Sequence, residues 1–207
     1  MSLSSPGTFG AGPIEVVCGP MFSGKTEELI RLVRRAEIAR VPVQIFKPAI
    51  DTRYDETDVV SHNSRSVKSI PVKKSEDIFK KLDDETRLVA IDEVQFFDDS
   101  IVEVAIRLAK RGLRFICAGL DLDYRGAPFG PMPELLAIAD HVTKLKAVCT
   151  VCGEDASRTF RVVNSSEQVL LGDASVYEAR CRGHYFYVEA GEAKSGVKNE
   201  ESASVQH

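Results

Sequence analysis

The chain has 207 residues, 43% of them hydrophobic and 28% charged, with a formal net charge of -4. That length can bury a full core and admits one or two domains, while the acidic balance gives no general pull towards nucleic acid, which calls for a basic surface. No apolar run approaches the roughly 20 residues that span a bilayer, so no membrane partner is expected.

The opening segment, MSLSSPGTFGAGP, has neither the basic n-region nor the apolar h-region of a signal peptide. Residues 1–12 therefore read as an unstructured leader. "IEVVCG" is a short apolar strand ending at a glycine, and from Thr26 to Arg40 the residues Leu29, Leu32, Val33 and Ala36 share one helical face. "VPVQIFKP" is a second strand, and "SVKSIPV" a weaker third. Between them, Asp51 to Ser66 is polar, aperiodic and long for a loop, which marks a functional or mobile segment. Ser75 is placed to cap a short helix from Glu76 to Leu82. "RLVAIDE" is a strand ending in acids. Ile101, Val104, Ala105 and Leu108 mark a helix closed by Gly112, and "LRFICAGLD" is one more strand ending at a glycine and an acid.

This alternation predicts an α/β domain over residues 13–146, with a largely parallel sheet flanked by helices and ligands bound beyond the carboxyl ends of its strands. After Lys146 the helical rhythm stops, and residues 147–190 read as a small second domain of short strands and turns. The tail, residues 191–207, is polar and poor in aromatics, a disordered composition.

Gly19 to Thr26, "GPMFSGKT", matches G-x-x-x-x-G-K-[ST] in full, with a strand before it and a helix after it. The glycines let successive N–H groups of Gly19, Pro20's neighbours Met21, Phe22 and Ser23, and Gly24 turn towards one anion, and the helix adds its positive end. Lys25 reaches the terminal phosphates of a nucleoside triphosphate, and the Thr26 hydroxyl is a Mg²⁺ ligand. "LVAIDEVQFF" then sets Asp92 and Glu93 at the end of an apolar strand. One acid there can hold magnesium and a second can take a proton from the nucleophile. The spacing leaves open which does which. Water activation in an ATPase and hydroxyl activation in a kinase use the same pair.

Cys18 and Cys117 lie in apolar runs and read as buried small hydrophobes. Cys149-x-x-Cys152 and Cys181-x-x-His184 are two knuckle-type pairs, a set that suits a tetrahedral structural Zn²⁺. A lobe with so little core gains folding free energy from such a metal. His62, His141 and His207 read as solvated.

Together, "GPMFSGKT", "DEVQFF" and the late Cys/Cys/Cys/His set resemble the type II thymidine kinases, the cytosolic zinc-containing class. "KPAIDTRY", "GLDLDYRGAPFG", "KLKAVCTVCG" and "GDASVYEARCRGHY" carry the resemblance from about Ile14 to Glu189. It implies a RecA-like P-loop domain and a zinc lobe whose loop closes over thymidine as a lid. It also implies a cytoplasmic homotetramer inhibited by dTTP, with no nucleic-acid partner. By the same resemblance Glu93 is the general base on the 5′-hydroxyl, and Thr26 and Asp92 organise Mg²⁺ with ATP. Asp51, Thr52, Arg53 and Gln95 lie on the phosphate side, and Arg161 is a further charge near the transferred group. Met21, Phe96, Leu120 and Tyr124 surround the thymine, and Thr159, Gln168, Val169, Leu170, Leu171, Gly172 and Tyr177 belong to the lid that holds the base. Deoxyuridine, lacking only a methyl group, is an expected second substrate.

Two positions depart from the family pattern. His184 stands where many animal members have cysteine, and is an equally good ligand. Tyr124 stands where others have phenylalanine, and its hydroxyl needs a partner. Two rival functions share the P-loop evidence: a RecA-type ATPase stimulated by nucleic acid, with a zinc ribbon whose basic residues lie in "SRTFR" and "RCRGHYFY", and a nucleotide-sensing module without catalysis.

Overall fold

The computed structural model describes residues 10–49, 58–60, 66–163 and 175–185. Strand β1 (Ile14–Cys18) leads into helix α1 (Lys25–Ile38), followed by β2 (Val43–Pro48), the short β3 (Asp58–Val60), β4 (Ser66–Lys68) and β5 (Ile70–Val72). Then come α2 (Asp77–Lys81), β6 (Leu88–Ile91), α3 (Ser100–Lys110), β7 (Arg114–Gly119), α4 (Met132–Ile138) and β8 (His141–Lys144). The remaining described strands are β9 (Ala147–Val148), β10 (Asp155–Ala156), β11 (Arg158–Arg161) and β12 (Tyr177–Arg180).

Six strands form one sheet in the order β5-β2-β6-β7-β1-β8, and every pairing in it is parallel. Consecutive residues point to opposite faces, and both faces are covered. Phe115 and Cys117 of β7 pack with Ile78, Ile101, Val104, Leu108, Met132 and Leu135 from α2, α3 and α4. Ile116 and Ala118 pack with Leu29, Ile30, Val33 and Ala36 of α1. Burial on both sides is why the strands read as continuous apolar runs instead of alternating ones. The strand that precedes the phosphate motif and the strand that ends in acids are separated by β7, as in RecA-like sheets.

Past β8 the chain forms two small antiparallel ladders, β9 with β10 and β11 with β12, around a separate core of Ala147, Cys149, Ala156 and Ala179. Among the described residues of the lobe these four small side chains bury little apolar area.

Three local expectations change. Ser75 does not cap α2. It is fully buried, its N–H donates to Asp98 Oδ2 at 3.1 Å, and it ties the start of α2 to the loop before α3. "SVKSIPV" divides at Ser69 into β4, which pairs only with β3 among the described residues, and β5, which joins the main sheet. His141 begins β8, an exposed edge strand that its polar composition did not signal.

Residues 1–9 and 186–207 lie outside the described residues. Gly12, at the end of the expected leader, is already held: its N–H donates to Ala109 O at 2.8 Å, and a Cβ there would lie 2.0 Å from Leu113 O. Gly12→Ala should therefore lower unfolding free energy by about 1–3 kcal/mol. Gly10→Ala, where nothing lies within 4 Å, should change it by less than about 0.5 kcal/mol in the same denaturant titration.

Candidate active site

The phosphate motif forms the turn between β1 and α1. Gly24 caps α1 in the left-handed region, at φ 82°, and accepts the first helical hydrogen bond from Glu28 N at 3.0 Å. At Gly19 a Cβ would lie 2.5 Å from Leu145 O, so only glycine lets the loop run this close to the β8 end. Ser23 Oγ and Lys25 Nζ both donate to Pro20 O, each at 2.8 Å, and close the loop around its own backbone. Phe22, also at positive φ, is exposed at the loop's tip.

Strand β6 delivers the acids to the same place. Asp92 is buried and accepts the Thr26 hydroxyl at 3.1 Å on Oδ2, so the first turn of α1 and the end of β6 are joined by one hydrogen bond. Glu93 has left-handed backbone, φ 53° and ψ 40°, an uncommon conformation for a residue with a Cβ. Such local strain clusters at functional sites. Gln95 follows in a 3-10 turn, donates through Nε2 to Glu93 Oε2 and accepts Leu120 N on Oε1 at 3.0 Å. The side chain therefore locks the Glu93 carboxylate to the end of β7.

Charge is concentrated here with little water. Burial pushes the Asp92 carboxyl up to about 7, helped by the neighbouring Glu93 charge and opposed by hydrogen bonds and Lys25. Burial also lowers the Lys25 ammonium below its ordinary value, against the pull of Glu93, Asp92 and Asp121. Asp121, at the end of β7, is a third carboxylate that motif reading did not assign. It pairs with Lys144 Nζ at 2.7 Å, and its only signal was the acid closing "AGLD".

Met21, Phe96, Leu120 and Tyr124 are each half-buried, which removes the simple core reading for Phe96 and Leu120. Contacts join Met21 and Tyr124 to the lobe and Phe96 to the loop before α4. Met21 N donates to Thr159 Oγ1 at 3.0 Å, across 138 residues of sequence. Phe96 packs edge-on against Phe129 with ring centroids 5.5 Å apart. Arg161 lays its guanidinium 3.5 Å over the Tyr124 ring and donates through Nη2 to the Tyr177 hydroxyl at 2.8 Å. The Tyr124 hydroxyl, expected to need a partner, accepts from Arg125 Nε at 2.9 Å. Asp51, Thr52, Arg53, Gln168, Val169, Leu170, Leu171 and Gly172 lie outside the described residues.

The cysteines and histidine at the far end of the lobe also converge. All five cysteines of the chain are free thiols. The ligand atoms of Cys149, Cys152, Cys181 and His184 lie within 4.8 Å of one another, with Cys152 Sγ 3.9 Å from Cys181 Sγ. His184 Nδ1 is 3.9 Å from Cys149 Sγ and 3.1 Å from Cys181 Sγ. A tetrahedral zinc with Zn–S bonds of about 2.3 Å requires sulfur–sulfur edges of about 3.7 Å. The donor set fits zinc in both chemistry and spacing. Burial opposes ionisation of Cys149, but backbone N–H groups of Cys181, Val151 and Cys152 outweigh it and bring the thiol down to about 6, favouring the thiolate that a metal needs.

A family model for thymidine kinase matches residues 12–185, most of the chain. The chain belongs to the thymidine kinase family. It is accordingly an ATP:thymidine phosphotransferase, and the nucleotide cradle, paired acids and Cys/His cluster are read within that activity. Among the described residues of this thymidine kinase family member, no helix is long and apolar enough to cross a membrane.

Two measurements follow from the site. Purified protein should carry one zinc per chain, and Cys181→Ser should lose it and expose the lobe to protease. A cation drawn to Asp92 must displace the proton that burial holds there. Between the ordinary aspartate range and about 7 the folded chain keeps a proton that the unfolded chain releases. Asp92 thus favours folding in acid, and that contribution fades as pH rises through about 7. Cation binding runs the other way: magnesium-nucleotide affinity should rise about tenfold from pH 6 to pH 8 beyond the change seen in Asp92→Asn.

Proposed function

We propose that the enzyme transfers the γ-phosphoryl of ATP to the 5′-hydroxyl of thymidine, giving dTMP and ADP, with Glu93 as the general base. The observation that carries this reading is the fixed Glu93 carboxylate beside the cradle. Gln95 holds Oε2, which leaves Oε1 to face an acceptor hydroxyl. The 5′-oxygen attacks phosphorus, its proton passes to Glu93, and the bond to the β–γ bridging oxygen breaks as ADP leaves. Lys25 turns from Pro20 O towards the terminal phosphates, and cradle N–H groups bind their oxygens. Most of the acceleration is positioning and charge stabilisation. Thr26 and Asp92, already joined by a hydrogen bond, would hold magnesium, which neutralises phosphate charge when bound.

The acceptor side is built from Met21, Phe96, Leu120 and Tyr124 on the main domain and Thr159 and Tyr177 on the lobe. Gln168 to Gly172 complete it as a lid, with Asp51, Thr52 and Arg53 on the phosphate side. Arg161 acts in this reading by stacking on Tyr124, not at the phosphoryl group. A missing 5-methyl is a weak basis for discrimination, so deoxyuridine is a second substrate. The division at residue 146, the structural zinc, the cytoplasmic homotetramer, dTTP feedback and a role in supplying DNA precursors extend the same reading. They rest on the family resemblance. Arg182 of the lobe is exposed, but two others favour a kinase over a nucleic-acid reader. Arg161 is buried, and Arg180 lies 3.6 Å over Phe160 while paired with Glu178, so these cations serve internal packing.

Glu93→Gln should lower turnover with thymidine by about 10²- to 10⁴-fold while leaving ATP binding within a few-fold of the parent. An equal loss of ATP affinity would mean that Glu93 serves the nucleotide and not the acceptor proton.

A further inference from the structure

Tyr124 belongs to the main domain by sequence, on the loop after β7, yet the lobe holds it. The Tyr185 hydroxyl donates to Tyr124 O at 2.6 Å. Arg161, at the end of β11, covers its ring. The loop runs so near Tyr185 that a Cβ at Gly126 would lie 3.2 Å from the Tyr185 hydroxyl. Tyr185 directly follows His184, in the turn that also contains Cys181. That turn is braced by Arg180, whose Nη1 donates to His184 O at 3.3 Å while its guanidinium stacks on Phe160. Phe160 in turn meets the Tyr185 ring edge-on, with centroids 6.5 Å apart. A candidate metal ligand, His184, and the tyrosine whose hydroxyl carries the Tyr124 carbonyl are thus adjacent in the chain.

We propose that Tyr185 is a positioning residue that couples the Cys/His knuckle to the nucleoside pocket. A metal on Cys181 and His184 fixes the turn, the turn fixes the Tyr185 hydroxyl, and the hydroxyl sets where the Tyr124 loop stands. The inference rests on the reading that Tyr124 borders the thymine. The cradle itself is turned by β1 and α1, and its Met21 N–H donates to Thr159 Oγ1 of the lobe and not to the Tyr185 turn, so losing the Tyr185 hydroxyl spares the ATP side. The knuckle is therefore more than a staple for a small lobe: it sets the shape of an acceptor site whose loop it does not belong to.

The test uses the full chain and Tyr185→Phe, which keeps the ring against Phe160 and removes only the hydroxyl. Metal analysis should show unchanged zinc. The KM for thymidine should rise about three- to tenfold, the worth of one hydrogen bond, while the KM for ATP and kcat stay near the parent's. Amide hydrogen exchange of residues 121–129 should speed up in Tyr185→Phe. It should also speed up in the parent when a chelator strips the metal, a readout that needs no activity. An unchanged thymidine KM with unchanged exchange in 121–129 overturns the coupling, as does chelation that loosens 147–185 and leaves 121–129 protected. A parent that fails to turn over thymidine would overturn the pocket reading instead, and exchange in 121–129 would still decide whether the knuckle holds the loop.

Discussion

Three carboxylates and a lysine share a small, poorly hydrated space at the carboxyl ends of three neighbouring strands, and the site depends on keeping them together. Asp92 closes β6, Asp121 closes β7, and Lys25 opens the helix after β1, while Glu93 stands one residue beyond Asp92. Water would screen these charges from one another; a parallel sheet buried on both faces does not. Burial lowers the Lys25 ammonium below its ordinary value, the attraction of Glu93, Asp92 and Asp121 opposes that shift, and Lys25 in return favours the Asp92 carboxylate. The cost of leaving such charges dry is reduced by a network: Thr26 to Asp92, Gln95 to Glu93, Lys144 to Asp121. A cation held here would supply the positive charge that three carboxylates and one lysine lack.

The second constraint is the reach of the lobe. Among the described residues the lobe's core is four small side chains, which give little rigidity by packing alone, yet the lobe places Thr159 against Met21 and Tyr185 and Arg161 around Tyr124. Four converging ligand atoms supply the missing rigidity if a metal sits among them. In the proposed reading the cradle rests on an apolar core, while the lobe's share of the acceptor side would draw its order from coordination chemistry.

Much of this was legible in the sequence because backbone demands were severe. The cradle needs glycine where a Cβ would strike Leu145 O, and the central strands need apolar side chains on both faces; both leave marks at fixed spacing. The Cys/His pairs were legible for the same reason, since a tetrahedral site dictates ligand type and separation. What escaped was decided by distant partners. His141–Lys144 is polar and exposed, and it is a strand only because β1 offers an edge. Ser75 has the composition of a cap but is buried, and its N–H finds the carboxylate of Asp98. Asp121 and Tyr185 act through an ion pair or hydrogen bond to residues far along the chain, and Gln95, expected on the phosphate side, instead bonds Glu93 and Leu120 N; no local pattern records such partners.

The central claim is that this arrangement delivers phosphoryl to a nucleoside hydroxyl. ATP turnover by the parent chain, measured with thymidine, deoxycytidine or single-stranded DNA as the added partner, tests it most directly. The account predicts ADP and dTMP formed in equal amounts with thymidine, and little turnover with the other two. Turnover driven by DNA and indifferent to thymidine would contradict it.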